Sequence, residues 1–277
     1  MRIRATVAAL TGTLALSALV VPAAQADDGP NTRQLSASVA KVANGAAAGD
    51  TKITKVTVNG GKDVVIGTSA KKKFTVAITA TDPEGIAGAS GFMWHGPSRQ
   101  TADGAFAPDD FDSKCKVVND TTSTCTLAFT VDPKADIYTN DVAGSGWKVY
   151  AVATGGSGST TIDGAKSDAR VQRAARLTTN ASPEPIKKGK TLTVTGALTR
   201  ANWETSKYAG YTKQSVKLQY KKKGAASYTT LKTITSDTKG NLKTTVKASA
   251  DGYYRYVFAG TSTTPAVTST SDFVDVN

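Results

Sequence analysis

A single histidine, His95, is the only side chain among the 277 residues whose ordinary titration lies near neutral pH. Nucleophilic hydrolysis through a Ser-His-Asp set would need it as the base, with a serine raised on an elbow such as G-x-S-x-G. That pentapeptide is absent, and Gly155-Gly-Ser-Gly-Ser159 has the composition of a flexible loop. His95 follows Trp94 at the end of an apolar run and precedes Gly96-Pro97, the setting of a structural imidazole. One histidine and two cysteines cannot supply a zinc site. Carboxylates are the remaining chemistry. Asp103, Asp109, Asp110 and Asp112 lie in one polar stretch, with Asp82 and Glu84 in a turn before it. Calcium takes six to eight oxygens, and loop acids can provide them, but this spacing is not that of an EF-hand. The same acids could serve as a glycosidase pair, although a small sandwich seldom encloses a substrate cleft. No catalytic residue, cofactor or metal ligand is assigned.

Cys115 and Cys125 flank a nine-residue segment centred on Asn119-Asp120, a turn signal. A three-residue loop at 119–121 would pair 118 with 122 and 117 with 123, and would set Cys115 opposite Cys125. Directly opposed residues in a non-hydrogen-bonded pair have Cα atoms about 4.5 Å apart, within reach of a bridge. The spacing is not CxxC and there is no third cysteine, so the pair reads as a structural disulfide.

Trp203, Tyr208 and Tyr211 fall together in an insertion between two strand patterns, beside Lys207 and Lys213. Exposed aromatics stack on sugar rings, and the lysines would suit an anionic glycan. The alternative is that the insertion folds back and the aromatics cap their own sandwich.

The elements that must hold these groups are strands. Met1-Arg-Ile-Arg4, the uncharged apolar run Ala5–Val21 and Ala24-Gln25-Ala26 make a secretory signal peptide over 1–26. Cleavage there leaves 251 residues, enough for two domains. Residues 27–49 are rich in Ala, Ser and Gly and read as a flexible leader. From Lys52 onward the pattern is period two. Phe74, Val76 and Ile78 alternate with Thr75, Ala77 and Thr79. Residues 91–95 form a short apolar strand, 96–114 a long polar loop, and 155–164 another loop. Trp147, Val149 and Ala151 alternate with Lys148, Tyr150 and Val152. Further on, Val216, Leu218 and Tyr220, and then Tyr254, Tyr256 and Phe258, repeat the pattern between turns. No stretch holds a 3.6 period, and no apolar run after Val21 is long enough to span a membrane.

Charge divides the chain. Residues 27–176 carry 17 Lys and Arg against 16 Asp and Glu, a net +1; residues 177–277 carry 15 against 6, a net +9. The lysines are spread over many strands, which serves solubility and also attracts polyanions such as cell-wall phosphate polymers. No massed motif for specific nucleic-acid binding is present.

Asn180-Ala-Ser-Pro-Glu-Pro-Ile-Lys-Lys-Gly189, Ala201-Asn-Trp203, Tyr208-Ala-Gly-Tyr211, Val216-Lys-Leu-Gln-Tyr220 and Asp251-Gly-Tyr-Tyr-Arg-Tyr-Val-Phe-Ala-Gly260 resemble a repeating immunoglobulin-like domain of secreted actinobacterial proteins. Ile78-Thr-Ala-Thr-Asp-Pro-Glu-Gly-Ile86 resembles a bacterial Ig-like or cadherin-like module. The resemblance implies fold and export, and no activity. The expected protein is all-β: two immunoglobulin-like β-sandwich domains in tandem after a cleaved signal peptide, the first over 50–175 and the second, basic one over 176–277. It is expected to be a secreted, extracellular, non-catalytic structural or adhesive monomer acting at the cell surface. The alternatives are a glycan- or polyanion-binding module using the basic half, and a calcium-stabilised module.

Overall fold

Phe74, Val76, Ile78 and Ala80 are all buried and the residues between them are not, so the period-two pattern of the sequence is a sheet with one face turned to a core. A computed structural model describes residues 50–158, 160–163 and 169–277. The signal peptide 1–26 and the leader 27–49 lie outside the described residues. The fold is two immunoglobulin-like β-sandwiches in tandem, with one helical turn, a 3₁₀ segment at Asn59–Gly61, among the described residues.

The first sandwich comprises β1 (Lys52–Val58), β2 (Val64–Ile66), β3 (Lys72–Thr81), β4 (Ile86–His95), β5 (Gly104–Phe106), β6 (Lys114–Asn119), β7 (Thr122–Val131), β8 (Trp147–Gly155), β9 (Thr160–Asp163) and β10 (Val171–Arg173). One antiparallel sheet runs β1-β3-β7-β6 and the other β5-β4-β8-β9. Ile78, Leu127 and Phe129 of one sheet meet Met93, Trp147 and Val149 of the other in a single core. The short parallel pair β2 and β10 closes the sandwich, and a bidentate ion pair from Arg170 to Asp63 (2.9 and 2.8 Å) sits beside it.

Two loops of the sequence reading hold strands. The stretch 96–114 contains β5, which pairs with the end of β4, and the stretch 155–164 contains β9, which folds back on β8. The strand expected at 91–95 starts five residues earlier, at Ile86. Both gains follow from pairing. A short polar segment earns no strand signal by itself and becomes one when a neighbour offers a free edge. On β4 and β8 both faces are apolar: Phe92, Trp94, Tyr150 and Val152 point away from the main core, where Ala102, Ala105 and Phe111 of the long loop cover them.

The cysteine hairpin forms with Cys115 opposite Cys125 and Val117 opposite Ser123. Nearer the turn the register differs from the expected one. Asn119, not Val118, faces Thr122, so Val118 is an extra residue and the loop shortens to Asp120-Thr121. The cause is local: the Asn119 side-chain oxygen accepts bonds from the Thr121 N–H and hydroxyl, an Asx turn that pulls Asn119 into the pair. The disulfide is made, with Cα atoms 3.8 Å apart. It ties down β6, an edge strand exposed along its whole length.

The second sandwich comprises β11 (Ala175–Leu177), β12 (Asn180–Ser182), β13 (Thr191–Asn202), β14 (Lys207–Gly210), β15 (Ser215–Lys222), β16 (Thr229–Thr235), β17 (Asn241–Lys247), β18 (Gly252–Phe258), β19 (Val267–Thr268) and β20 (Asp272–Val274). The long strand β13 organises one sheet. Its first half pairs with β12 and β17, and its second half with β11 and β14. The other sheet runs β16-β15-β18, with β19 and β20 on the far side of β18. Leu192, Val194, Leu198 and Leu242 face Val216, Leu218, Tyr254, Tyr256 and Phe258. The buried Tyr256 hydroxyl donates to the Val194 carbonyl across the core (2.9 Å). Gly240 (φ +83°) closes the Asp237–Gly240 turn, and Gly210 lies so close to it that a Cβ there would run into the Lys239 carbonyl.

Two outcomes are expected. Replacing both cysteines with alanine should lower stability by about 2–3 kcal/mol, the loop-closure term for a ring of this size, without abolishing the fold, because the second sandwich has a core of its own. Rapid labelling of either cysteine in the native protein would contradict the bridge. The second outcome concerns alkali. Burial raises the Tyr254 phenol to about 12 and pushes Tyr256 higher still. Their neutral forms are the ones the core accepts, so their contribution is intact below the unfolded value of about 10 and is lost as pH climbs from there towards 12. Circular dichroism along an alkaline titration should show this loss, with a shallower limb in Tyr256→Phe.

Candidate functional site

His95 is held, not poised. Its Nδ1 lies 2.6 Å from an Asp103 carboxylate oxygen and its Nε2 lies 3.1 Å from the Ser145 carbonyl, so neither nitrogen faces a hydroxyl or thiol nucleophile. The loop acids are likewise engaged separately. Asp109 accepts from the Thr130 hydroxyl, Asp110 from the Asp112 N–H, and Asp82 from the Thr51 hydroxyl and the Glu84 N–H. Among the described residues no three His, Cys, Asp or Glu side chains converge as a metal site would require.

The aromatic insertion has a different fate from either reading of the sequence. It is the hairpin of β13 and β14, and it leaves its own sandwich to enter the other one. Trp203, at its tip, is 2 % exposed and is part of the first sandwich's core. Its indole N–H donates to the Gly67 carbonyl (3.0 Å), which satisfies the one polar atom the ring carries. Tyr208 is half-buried against the same core, with the Arg176 guanidinium 3.6 Å above its ring. Tyr211 turns the other way, into the second core, edge-on to Phe258 and beneath Arg200. The three rings are therefore divided between two cores and form no common stacking surface. The physical reason is the length of β13: twelve residues carry the hairpin tip beyond the end of the second sandwich. Lys207 and Lys213 remain exposed.

Around this plug the two sandwiches share hydrogen bonds. The Asn140 side-chain oxygen accepts from the Trp203 N–H and its amide donates to Asn202. Glu204 accepts from the Asn140 N–H (2.9 Å) and from the Thr139 hydroxyl. These bonds, the Asn140 N–H first, hold the Glu204 carboxyl below its ordinary value. The buried Arg173 donates from Nε to the Ala201 carbonyl (2.6 Å). Burial, then the charge of Arg200, draws its guanidinium down to about 10, so it stays charged at neutral pH. Gln172 donates to the carbonyls of Thr261 and Ser262, and the Arg173 N–H to that of Thr263. Ala174, between β10 and β11, donates to Ile66 on one side and accepts from Ala201 on the other. The connection between sandwiches is thus itself laddered into both.

Asn140, Gln172, Arg173 and Glu204 were not singled out in the sequence. The one signal for them was the absence of any Gly- or Pro-rich spacer between Asp168 and Arg176.

No family model matches the chain, and no curated protein matches it. Among solved structures it is similar to the D00-D0 domain of intimin (13 % identity, 79 % of this chain and 99 % of that one, TM-score 0.26) and to the amphioxus IgVJ-C2 molecule (11 %, 76 % and 99 %, TM-score 0.28). It is also similar to the Yersinia pseudotuberculosis adhesin InvE (12 %, 82 % of this chain and 60 % of that one, TM-score 0.26). The fold assignment rests on the strand order and packing given above.

Trp203→Ala should cost about 3–5 kcal/mol, as removal of a large core side chain does, and the loss should appear in the first sandwich although residue 203 belongs to the second. Urea unfolding of the intact protein checks this by tryptophan fluorescence, which in the variant comes from Trp94 and Trp147 of the first sandwich alone. Glu204 gives a pH test. A depressed carboxyl stabilises above its unfolded value of 4.5 and ceases to as pH falls through its lower folded value. The melting temperature of Glu204→Gln should therefore lie below that of the parent at pH 7, and the gap should close in acid.

Proposed function

We propose that this is a non-catalytic extracellular protein, exported by the signal peptide over 1–26, that serves as a structural or adhesive module at the cell surface. The observation that supports this most is the joint. Two sandwiches connected by one residue, with an aromatic plug from one in the core of the other, hold a fixed mutual geometry. Such an arrangement suits a spacer or a presenting scaffold. Among the described residues no helix is long and apolar enough to cross a membrane.

A second reading, attachment to an anionic glycan or other polyanion, is favoured by one specific feature: nine of the net positive charges fall on residues 177–277.

Limited trypsin digestion tests the primary reading. The connection contains Arg173 and Arg176, yet Arg173 is buried and Ala174 is hydrogen-bonded on both sides. The native protein should resist cleavage there, and Trp203→Ala should become sensitive. Ready separation of the two halves of the native protein would mean a flexible tether and would remove the rigid-scaffold reading.

A further inference from the structure

The outward face of the β16-β15-β18-β20 sheet leaves its aromatic rings half-exposed, where those on the outward face of β4 and β8 are buried. Along β15, Lys217, Gln219 and Lys221 alternate with the buried or inward Val216, Leu218 and Tyr220, and so project to the same side at steps of about 6.8 Å. The register sets Lys217 beside Val257, Gln219 beside Arg255 and Lys221 beside Tyr253 on β18, and Tyr253 beside Phe273 on β20. Tyr228, just before β16, completes the row. Aromatic rings and cations are interleaved here. Lys221 Nζ lies 5.2 and 5.3 Å from the ring centres of Tyr228 and Tyr253, Arg255 lies 3.6 Å over Tyr228, and Lys223 Nζ lies 5.6 Å from the Phe273 ring. Tyr253 and Phe273 contact each other at 5.1 Å.

Three features mark this as more than a solvated sheet face. Tyr253 and Phe273 are half-buried with no loop over them, whereas the corresponding aromatic face of the first sandwich is sealed beneath its long loop. Lys217, Lys221 and Arg255 pair with no carboxylate among the described residues, and Asp251, before β18, pairs with Lys223 at 3.5 Å while accepting from the Val276 N–H. The Arg255 Nε–H is oriented by Gln219 (2.9 Å) and the Tyr228 hydroxyl lies 2.6 Å from that of Ser271, so both groups are held in place. At the end of the sheet nearer the joint the face runs into a shallow groove of about 380 Å³ lined by Gln214, Lys217, Gln219, Val257 and Thr261.

We propose that this face binds an acidic polysaccharide, a chain of sugar rings bearing carboxylate or sulfate groups. The inference rests on reading the second sandwich as the binding half. Unpaired cations match the acid groups, and the half-buried rings of Tyr253 and Phe273 match the apolar faces of sugar rings. A flat sheet with a repeat of cations along one strand suits a polymer laid across it better than a single small molecule. A polyanion without rings would have no use for the aromatics.

The test titrates the intact protein with polygalacturonate, with polyphosphate at equal charge, and with uncharged dextran. Polygalacturonate is expected to bind most tightly, with affinity falling as salt rises. Lys221→Gln with Arg255→Gln should weaken it roughly tenfold or more, as should Tyr253→Ser, whereas Lys243→Gln with Lys247→Gln, the same charge removed from the opposite sheet, should change it less than about twofold. The two charge pairs are exposed or half-exposed and keep the fold, so they decide the matter should Tyr253→Ser destabilise the sheet. Equal weakening by both charge pairs would overturn the site while leaving general polyanion attraction standing. Polyphosphate binding as tight as polygalacturonate would overturn the sugar specificity. No binding of any of the three polymers would overturn the binding reading of the second sandwich together with the site.

Discussion

The burial of one indole governs the architecture. Trp203 belongs by sequence and by strand to the second sandwich and by contact to the first. A ring of that size buries on the order of 200 Å², and in the first sandwich it finds both an apolar surround and a carbonyl, that of Gly67, for its N–H. Once it is seated, the hairpin that carries it cannot swing, and the single-residue connection at Ala174 is drawn into hydrogen bonds on both sides. The polar groups around the plug then follow from a simple requirement: the donors of Trp203, Asn140 and Arg173 brought together at the joint must find acceptors, among them the exposed Glu204 carboxylate. Each of them does.

The two sandwiches solve the problem of the outward sheet face in opposite ways. In the first, β4 and β8 carry apolar residues on both sides, and the long loop between β4 and β6 is used to cover the outer one with Ala102, Ala105 and Phe111. In the second, the outer face of β15 and β18 keeps its aromatics at half exposure and intersperses them with Lys and Arg, whose charged ends lie over or beside the rings. One face is thereby closed to ligands and the other remains open. Four of the fifteen Lys and Arg of residues 177–277, Lys217, Lys221, Lys223 and Arg255, lie on or beside that open face.

Edges are managed locally. The exposed strand β6 is secured by the disulfide and shortened by the bulge at Val118. On β16 a second irregularity, between Leu218 and Gln219 of its partner, leaves Leu231 as the extra residue, 41 % exposed, and sends Lys232 across to the Thr245 carbonyl of β17 (2.6 Å). That bond links the free edges of the two sheets where no strand pairing does, and a charged side chain on such an edge opposes pairing with another chain.

By itself the sequence determined the β character and most of the strands, because a period-two pattern such as Phe74-Val76-Ile78 or Tyr254-Tyr256-Phe258 has only one physical solution, a sheet with one face dry. It also determined the cysteine pairing, since nine intervening residues centred on an Asn-Asp turn leave the two thiols opposite each other. It located the excess charge without showing its arrangement: Lys221, Tyr253 and Phe273 are far apart in the chain and become neighbours only through the registers of three strands. Pairing likewise created β5 and β9 from segments with no strand signal of their own. The aromatic insertion is the clearest limit. Trp203, Tyr208 and Tyr211 announced that something large and apolar needed a destination, but a sequence states the need for burial and not the surface that meets it. Only the tertiary structure decided that Trp203 would be buried in the other sandwich, because that choice depends on how far β13 extends and on a cavity beside Gly67 contributed by residues more than a hundred positions away.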